Sequence, residues 1–150
     1  MQTTLENILI AEDDVDDFEL LRDAIVDAGF SLIIERAENG EILLRILGLN
    51  IPDILFLDIQ MPCKDGKQCL KEIRDNPRYD ALPVIMYSSH SAKNDIEYCY
   101  RQRANLYTLK PSSYANLKRV IEHIFSIDWK RVTYYPPLST FVIGADAELG

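Results

Sequence analysis

Short apolar runs rich in β-branched residues alternate along this chain with longer segments of helical periodicity. Five such pairs follow one another, each a strand pattern and then a helix pattern: Asn7–Ala11 and Val15–Ala28; Leu32–Ile34 and Gly40–Leu49; Ile54–Leu57 and Lys67–Arg74; Val84–Tyr87 and Ala92–Arg101; Leu106–Leu109 and Ser113–Phe125. Strands that are apolar along their whole length need burial on both faces, which a parallel sheet between two layers of helices provides. The pattern therefore predicts an α/β three-layer sandwich around a five-stranded parallel sheet, with right-handed helical crossovers.

The size, composition and charge of the chain limit the class of protein to which it can belong. At 150 residues, with 47% hydrophobic and 27% charged residues, the chain is too apolar to be disordered and long enough to form one core. Its net charge of −8 opposes attraction to phosphate backbones and anionic lipids, so we expect neither nucleic acid nor membrane as a partner. The three cysteines and two histidines lack the spacing of a metal site. Because no leader or membrane-spanning run is recognisable, we predict a cytoplasmic protein with free thiols.

The pattern changes after Phe125. We therefore predict a domain over residues 1–125 and a C-terminal extension over residues 126–150 without an output domain. The extension holds aromatic, proline and apolar residues at Trp129, Tyr134–Tyr135, Pro136–Pro137 and Phe141–Ile143. Because proline ends helices, we predict an extended segment. Two interpretations stay open: the segment docks on its own domain or is partly disordered, or it packs across the domain or adds a strand to the sheet of a neighbouring molecule.

Acidic residues cluster directly after two of the predicted strands. The first strand is followed by Glu12, Asp13, Asp14, Asp16 and Asp17, and the third by Asp58. Ligands bind at the carboxyl ends of the strands in such a sheet. Carboxylates converging there repel each other by about 1 to 4 kcal/mol per close pair, and a hard divalent cation with oxygen ligands, Mg²⁺, removes that repulsion. Simpler interpretations stay open for Asp14 as a helix N-cap and for Asp16 and Asp17 as charges that favour a helix start.

Two further strand ends add a hydroxyl and an amine to the same edge. Ser88-Ser89 follows the fourth strand and Lys110-Pro111 follows the fifth. Carboxylates, a hydroxyl and an ammonium group that meet at one sheet edge predict a single phosphoryl-binding site. Gly66, after Asp65, is typical of a tight turn before the third helix, where we expect a positive φ.

Four motifs occur in the order and at the spacing of one known family. They are Ile8-Leu-Ile-Ala-Glu12-Asp13-Asp14, then Asp58-Ile-Gln-Met-Pro62 with Asp65-Gly66, then Pro83-Val-Ile-Met-Tyr-Ser88-Ser89, and Tyr107-Thr-Leu-Lys110-Pro111. Over residues 6–125 the chain resembles the CheY-like receiver domain of two-component response regulators, of the stand-alone type. The resemblance implies a flavodoxin-like sandwich with strand order 2-1-3-4-5 and five helices.

The resemblance also implies a chemistry for the acidic residues. Asp58 is expected to accept a phosphoryl group from a phosphohistidine on a sensor histidine kinase or a phosphotransfer protein. Asp13 and Asp58 are expected to bind Mg²⁺ directly, with the backbone carbonyl of Gln60 as a further ligand and Glu12 acting mainly through water.

The remaining motif residues are expected to respond to the phosphoryl group. By the same resemblance Lys110 pairs with its oxygens, Ser88 hydrogen-bonds to them after transfer, and Tyr107 turns inward as an aromatic switch. The fourth helix, fifth strand and fifth helix then present the partner surface to an unknown downstream protein or a second copy. Catalysis is expected to be limited to phosphorylation and dephosphorylation of Asp58, so we do not expect a turnover enzyme.

Several positions depart from the commonest pattern of the family. Glu12 replaces the usual Asp, Ser88 replaces Thr, and Arg103 stands where Gly is common. Two rival functions fit the residues less well. A pseudo-receiver would use the fold as a constitutive binding module, which the retained site residues argue against; a haloacid-dehalogenase-like phosphatase would need a second Asp where this chain has Gln60.

Overall fold

The computed structural model describes residues 5–129 and 135–144. The strands are β1 (Asn7–Ala11), β2 (Ile33–Ala37), β3 (Ile54–Leu57), β4 (Val84–Ser88), β5 (Leu106–Leu109) and β6 (Val142–Gly144). The helices are α1 (Val15–Asp27), α2 (Gly40–Leu49), α3 (Gly66–Asp75), α4 (Lys93–Arg101), α5 (Tyr114–Phe125) and α6 (Leu138–Phe141), with a 3₁₀ turn at Pro77–Tyr79. All strand pairs are parallel, in the order β2-β1-β3-β4-β5-β6. The predicted flavodoxin-like α/β fold is confirmed.

The sheet separates two hydrophobic cores. On one face, residues such as Leu9, Leu55 and Met86 pack against α2, α3 and α4; on the other, Ile10, Phe56 and Ile85 pack against α1 and α5. Strands β3 and β4 are buried along their whole length, which is why they appear in the sequence as uninterrupted apolar runs. Strand β2 lies at the sheet edge: its first four residues alternate between exposed and half-buried, and Ala37 is buried. Because Glu35 and Arg36 interrupt the apolar residues, the sequence indicated only the first part of this strand.

A sixth strand extends the sheet beyond the five that the sequence predicts. Strand β6 pairs with β5 in register, with Tyr107 opposite Val142 and Leu109 opposite Gly144. Gly144 has φ +89, and a Cβ there would overlap the carbonyl oxygen of Leu109. The last position of the strand therefore accommodates only glycine. Three residues are too few to show the two-residue period of a strand in the sequence. They form a strand because they pair with the edge of β5.

The extension differs from the wholly extended segment that the sequence predicts. Helix α6 begins directly after Pro137, because a proline is tolerated at the start of a helix, where its missing N–H is not needed. The described part of the extension docks on its own domain: Phe141 is fully buried, in the same core as Tyr107. Tyr134 lies outside the described residues.

Side-chain caps fix where the helices begin near the carboxyl edge of the sheet. The carboxylates of Asp14 and Asp65 accept hydrogen bonds from the backbone N–H groups of Asp17 and Gln68, at 3.0 and 2.8 Å. Asp14 is thus the N-cap of α1. Gly66 follows Asp65 for a reason other than a positive φ: a Cβ there would overlap the carbonyl oxygen of Asp58, so glycine allows the close approach of two loops.

No helix in the described ranges is both long and apolar enough to cross a bilayer.

Candidate functional site

Three carboxylates meet at the carboxyl edge of the sheet. Glu12 and Asp13 follow β1 and Asp58 follows β3, and because these strands are paired, the Asp58 N–H donates to the carbonyl of Ala11 at 3.1 Å. Glu12, Asp13 and Asp58 each offer a carboxylate oxygen, and these oxygens lie within 4.8 Å of one another. Glu12 is 1% exposed and Asp58 6%, whereas Asp13 is exposed. Three hard oxygen donors at this spacing fit a divalent cation such as Mg²⁺.

Lys110, the first residue after β5, places its ammonium group among the carboxylates. Its Nζ donates to Glu12 at 2.7 Å, to Asp17 at 2.9 Å and to Asp58 at 3.2 Å. The Nζ also lies 5.2 Å from the centre of the Tyr87 ring, within the range of a cation–π contact. The predicted convergence of Lys110 and Asp58 is therefore present in the structure.

Burial and the neighbouring charges shift the pKa values of Glu12 and Lys110. Burial raises the pKa of Glu12 to about 8, the charge on Asp58 adds to the rise, and the ammonium of Lys110 opposes it. For Lys110 burial acts to lower the pKa, but the hydrogen bonds to Glu12 and Asp17 and the charge of Asp58 outweigh it, so the pKa is raised. The lysine is therefore charged at neutral pH, and the buried carboxyl of Glu12 takes up a proton more readily than a free one.

An open cavity leads to these groups. It has a volume of about 240 Å³ and is lined by Glu12, Asp13, Asp14, Asp17, Asp58, Gln60, Ser89, His90 and Lys110. The Gln60 N–H makes a long contact of 3.4 Å with the Asp58 carboxylate, which keeps the Gln60 backbone beside the site. A second groove of about 620 Å³, lined by Ile59, Met61, Pro62, Lys67 and Asp95 among others, adjoins the first and shares Asp13, Gln60 and His90 with it. A small phosphodonor or a partner's side chain can thus reach Asp58 from solvent.

Ser88 and Tyr107 are joined through the loop that follows β4, whose residues Ser89 and His90 line the cavity. The Ser88 hydroxyl accepts from the His90 N–H at 3.1 Å, and the Tyr107 hydroxyl donates to the His90 carbonyl at 2.7 Å. Both side chains are fully buried, and Tyr107 already points inward. His90 therefore connects the two predicted switch residues, a role that its own sequence context did not indicate.

Asp17 and Arg36 also contact this site. Asp17 is one of the acidic residues that follow the first strand in the sequence, where a role at the helix start stayed open, whereas nothing in the sequence singled out Arg36. Asp17 binds Lys110, although a first-turn Asp is common in helices for its effect on the helix dipole alone. The half-buried guanidinium of Arg36 donates to the backbone carbonyls of Glu12 and Asp13, at 3.0 and 2.8 Å, and so holds the loop after β1 in place. An arginine in a short edge strand carries no signal of such a contact. Asp16 is exposed in the first turn of α1.

Comparisons with known proteins agree with this geometry. The family model of the response regulator receiver domain matches residues 8–122. The chain is 30% identical over 132 residues to the probable methanogenesis regulatory protein FilR2 of Methanothrix harundinacea, covering 83% of this chain and 85% of that protein.

Solved structures show the same fold. The Mn²⁺-bound response regulator Rcp1 has a TM-score of 0.75 at 23% identity, covering 87% of this chain and 99% of that chain. The phosphorylated cyanobacterial phytochrome response regulator RcpA has a TM-score of 0.77 at 23% identity, covering 89% of this chain and 100% of that chain. Since the family model spans most of the chain, this protein belongs to the response regulator receiver domain family, the signal-receiving module of two-component systems.

Proposed function

We propose that Asp58 is the phosphoacceptor of this receiver domain and takes its phosphoryl group from a phosphohistidine on a sensor histidine kinase or a phosphotransfer protein. The observation that carries the proposal is the position of the Asp58 carboxylate: it is buried, reachable through an open cavity, and 3.2 Å from the ammonium of Lys110. A nucleophile and a cationic group at that separation suit attack on a phosphoryl group, because phosphoryl transfer depends on positioning and charge neutralisation.

In this reaction a carboxylate oxygen of Asp58 forms a bond to phosphorus as the bond from phosphorus to the donor nitrogen breaks. The donor imidazole keeps that electron pair, and the product is an acyl phosphate on Asp58. Lys110 offers its N–H groups to the phosphoryl oxygens as they gain charge. Glu12, Asp13 and Asp58, with the Gln60 carbonyl, would hold Mg²⁺, which neutralises charge on the phosphoryl oxygens when it is bound. Rcp1, which shares this fold, has a Mn²⁺-bound form, and this supports a divalent ion as the cofactor.

Ser88 and Tyr107 would respond to the added phosphoryl charge. The Ser88 hydroxyl can rotate, accepting from His90 in the present structure and donating to a phosphoryl oxygen after transfer. That change alters the loop that holds the Tyr107 hydroxyl through His90. Phosphorylation therefore biases the surface formed by α4, β5 and α5 and changes its affinity for a downstream protein or a second copy.

The test is intact mass after incubation with Mg²⁺ and acetyl phosphate. We expect a phosphoryl adduct on the wild type that disappears in Asp58→Asn and when Mg²⁺ is replaced by a chelator. Asp16→Asn, which removes an exposed carboxylate of the same loop and helix start, is the matched control and should keep the adduct. If neither acetyl phosphate nor beryllofluoride modifies the wild type while Mg²⁺ binds, the protein acts as a pseudo-receiver and the proposal is wrong.

A further inference from the structure

We infer that Asp17 is a positioning residue that anchors Lys110 throughout the phosphorylation cycle; the inference rests on the proposed function of Asp58. An ammonium group has three N–H donors, and in Lys110 they are matched by three carboxylates: Glu12, Asp17 and Asp58. Glu12 and Asp58 also belong to the oxygen cluster that suits a divalent cation, whereas Asp17 does not.

This difference decides what each carboxylate can do when the site is in use. Glu12 and Asp58 would be drawn to a cation held in this cluster, and their attraction for a lysine would weaken, since both positive charges compete for the same carboxylates. Phosphorylation then converts one Asp58 oxygen into the bridging oxygen of an acyl phosphate. Among the three partners of Lys110, only Asp17 keeps a free carboxylate in the resting, cation-bound and phosphorylated states.

The backbone around Asp17 and Lys110 suits a fixed anchor. Asp17 lies in the first turn of α1, and its N–H donates to the N-cap carboxylate of Asp14 at 3.0 Å. The Lys110 N–H donates to the carbonyl of Ser88 at 3.0 Å, and the Lys110 side chain is only 14% exposed. Two elements with set backbone positions therefore hold the ends of the ion pair, and the Nζ of Lys110 stays within reach of Asp58.

Asp17→Asn and Asp17→Ala separate position from charge, because both remove the same negative charge but only Asn keeps an oxygen that accepts from Lys110. The control is Asp16→Ala, which removes an exposed carboxylate from the neighbouring position. Beryllofluoride affinity is measured at saturating Mg²⁺. We expect Asp17→Ala to weaken it by about fivefold, the size of one partly exposed ion pair, Asp17→Asn by less than about twofold, and Asp16→Ala not at all.

A second readout needs neither metal nor phosphoryl mimic. Relaxation of the terminal carbon of the Lys110 side chain in the metal-free protein should show greater mobility in Asp17→Ala than in the wild type and Asp17→Asn. Equal loss of beryllofluoride affinity in the two Asp17 variants would mean that only charge matters and would overturn the inference, as would an Asp17→Ala protein that behaves like the wild type in both measurements. If neither the wild type nor any variant binds beryllofluoride, the proposed function fails. The mobility of Lys110 then decides by itself whether Asp17 anchors the lysine.

Discussion

At the scale of single residues, Glu12 shows how a buried acidic cluster works against stability. Its carboxyl has a pKa of about 8 in the folded protein against 4.5 when exposed, chiefly because it is buried. The folded state therefore holds a proton that the unfolded chain has released between those two pH values. Linkage then requires the free energy of unfolding to fall as the pH rises through that window, and to level off above it.

We predict that Glu12→Gln, which mimics the protonated side chain, raises the free energy of unfolding in metal-free buffer at pH 8.5 by about 1 to 3 kcal/mol, discounted for the lost ion pair with Lys110. At pH 5 wild type and variant should differ little. Urea denaturation with a chelator present measures both values, and Asp16→Asn serves as the control for a general loss of negative charge. A variant with the same stability difference at both pH values would contradict the assignment of the titration to Glu12.

The thiols show burial acting on reactivity at the same scale. Cys69 and Cys99 are fully buried, and burial raises the pKa of each thiol to about 12, whereas Cys63 is exposed. Because only the thiolate reacts, we predict that iodoacetamide at pH 8 adds one group to the native protein, and further groups only after denaturation. Intact mass measures the count, and Cys63→Ser should abolish native labelling. Labelling of a second cysteine in the folded protein would show that one of the buried thiols opens to solvent.

At the scale of elements, β6 extends the sheet beyond β5, and the short helix α6 leads directly into it. The centre of the Phe141 ring lies 5.0 Å from the ring centre of Tyr100 in α4 and 6.3 Å from that of Tyr107 in β5. Ile143 belongs to the opposite core, against α5. The segment thus joins the two cores around the edge of β5 and belongs to the folded domain.

We predict that Phe141→Ala lowers the free energy of unfolding by about 3 to 5 kcal/mol, as expected for a buried phenyl ring replaced by a cavity. Leu138→Ala is the matched control in the same helix, because Leu138 is 45% exposed, and should cost under about 0.5 kcal/mol. Chemical denaturation of both variants measures the difference. Equal, small effects would show that α6 and β6 do not hold to the domain in solution.

The corner between α4 and β5 explains one departure from the family pattern. Arg103 has φ 66, in the left-handed region that favours glycine. Its guanidinium donates to the carbonyl of Arg74 at 2.9 Å, while the buried Arg74 donates back to the carbonyl of Arg103 at 3.0 Å and to the side chain of Asn105 at 2.9 Å. These hydrogen bonds stabilise the strained position of Arg103.

At the scale of the whole molecule, the acidic cluster links ion binding to global stability. Glu12, Asp13 and Asp58 come from the loops after β1 and β3 and meet only in the folded sheet, so a cation that they bind stabilises the native state alone. We predict that Mg²⁺ at about 100 times its dissociation constant stabilises the fold by about 2.7 kcal/mol.

The thermal midpoint measured with and without Mg²⁺ tests this prediction. Asp13→Asn should remove the shift, because Asp13 is the exposed and directly available donor of the cluster, and Asp16→Asn should keep it. A full shift in Asp13→Asn would place the ion elsewhere on this acidic protein.

The sequence predicted the convergence of those charged residues that stand at the end of an apolar strand. Asp58 and Lys110 were found in this way, because a charge directly after a buried run has no packing role and strand ends meet at one edge. The contacts of Asp17 with Lys110 and of Arg36 with Asp13 were not predicted, because they join residues 93 and 23 positions apart while each side chain has an ordinary local explanation. Gly66 was predicted correctly as a constrained position but for the wrong reason, since the constraint comes from the approach of Asp58.

The sequence by itself determined the fold class, the first five strands and the edge at which the charged residues collect. Periodicity and strand-end chemistry are local properties, and the burial that they require has only one common solution, a parallel sheet covered by helices on both faces. Only the tertiary structure decided that β6 completes the sheet, that Lys110 binds three carboxylates at once, and that Phe141 packs on Tyr107. Those outcomes depend on which surface or side chain lies opposite in space, and a linear pattern does not specify that partner.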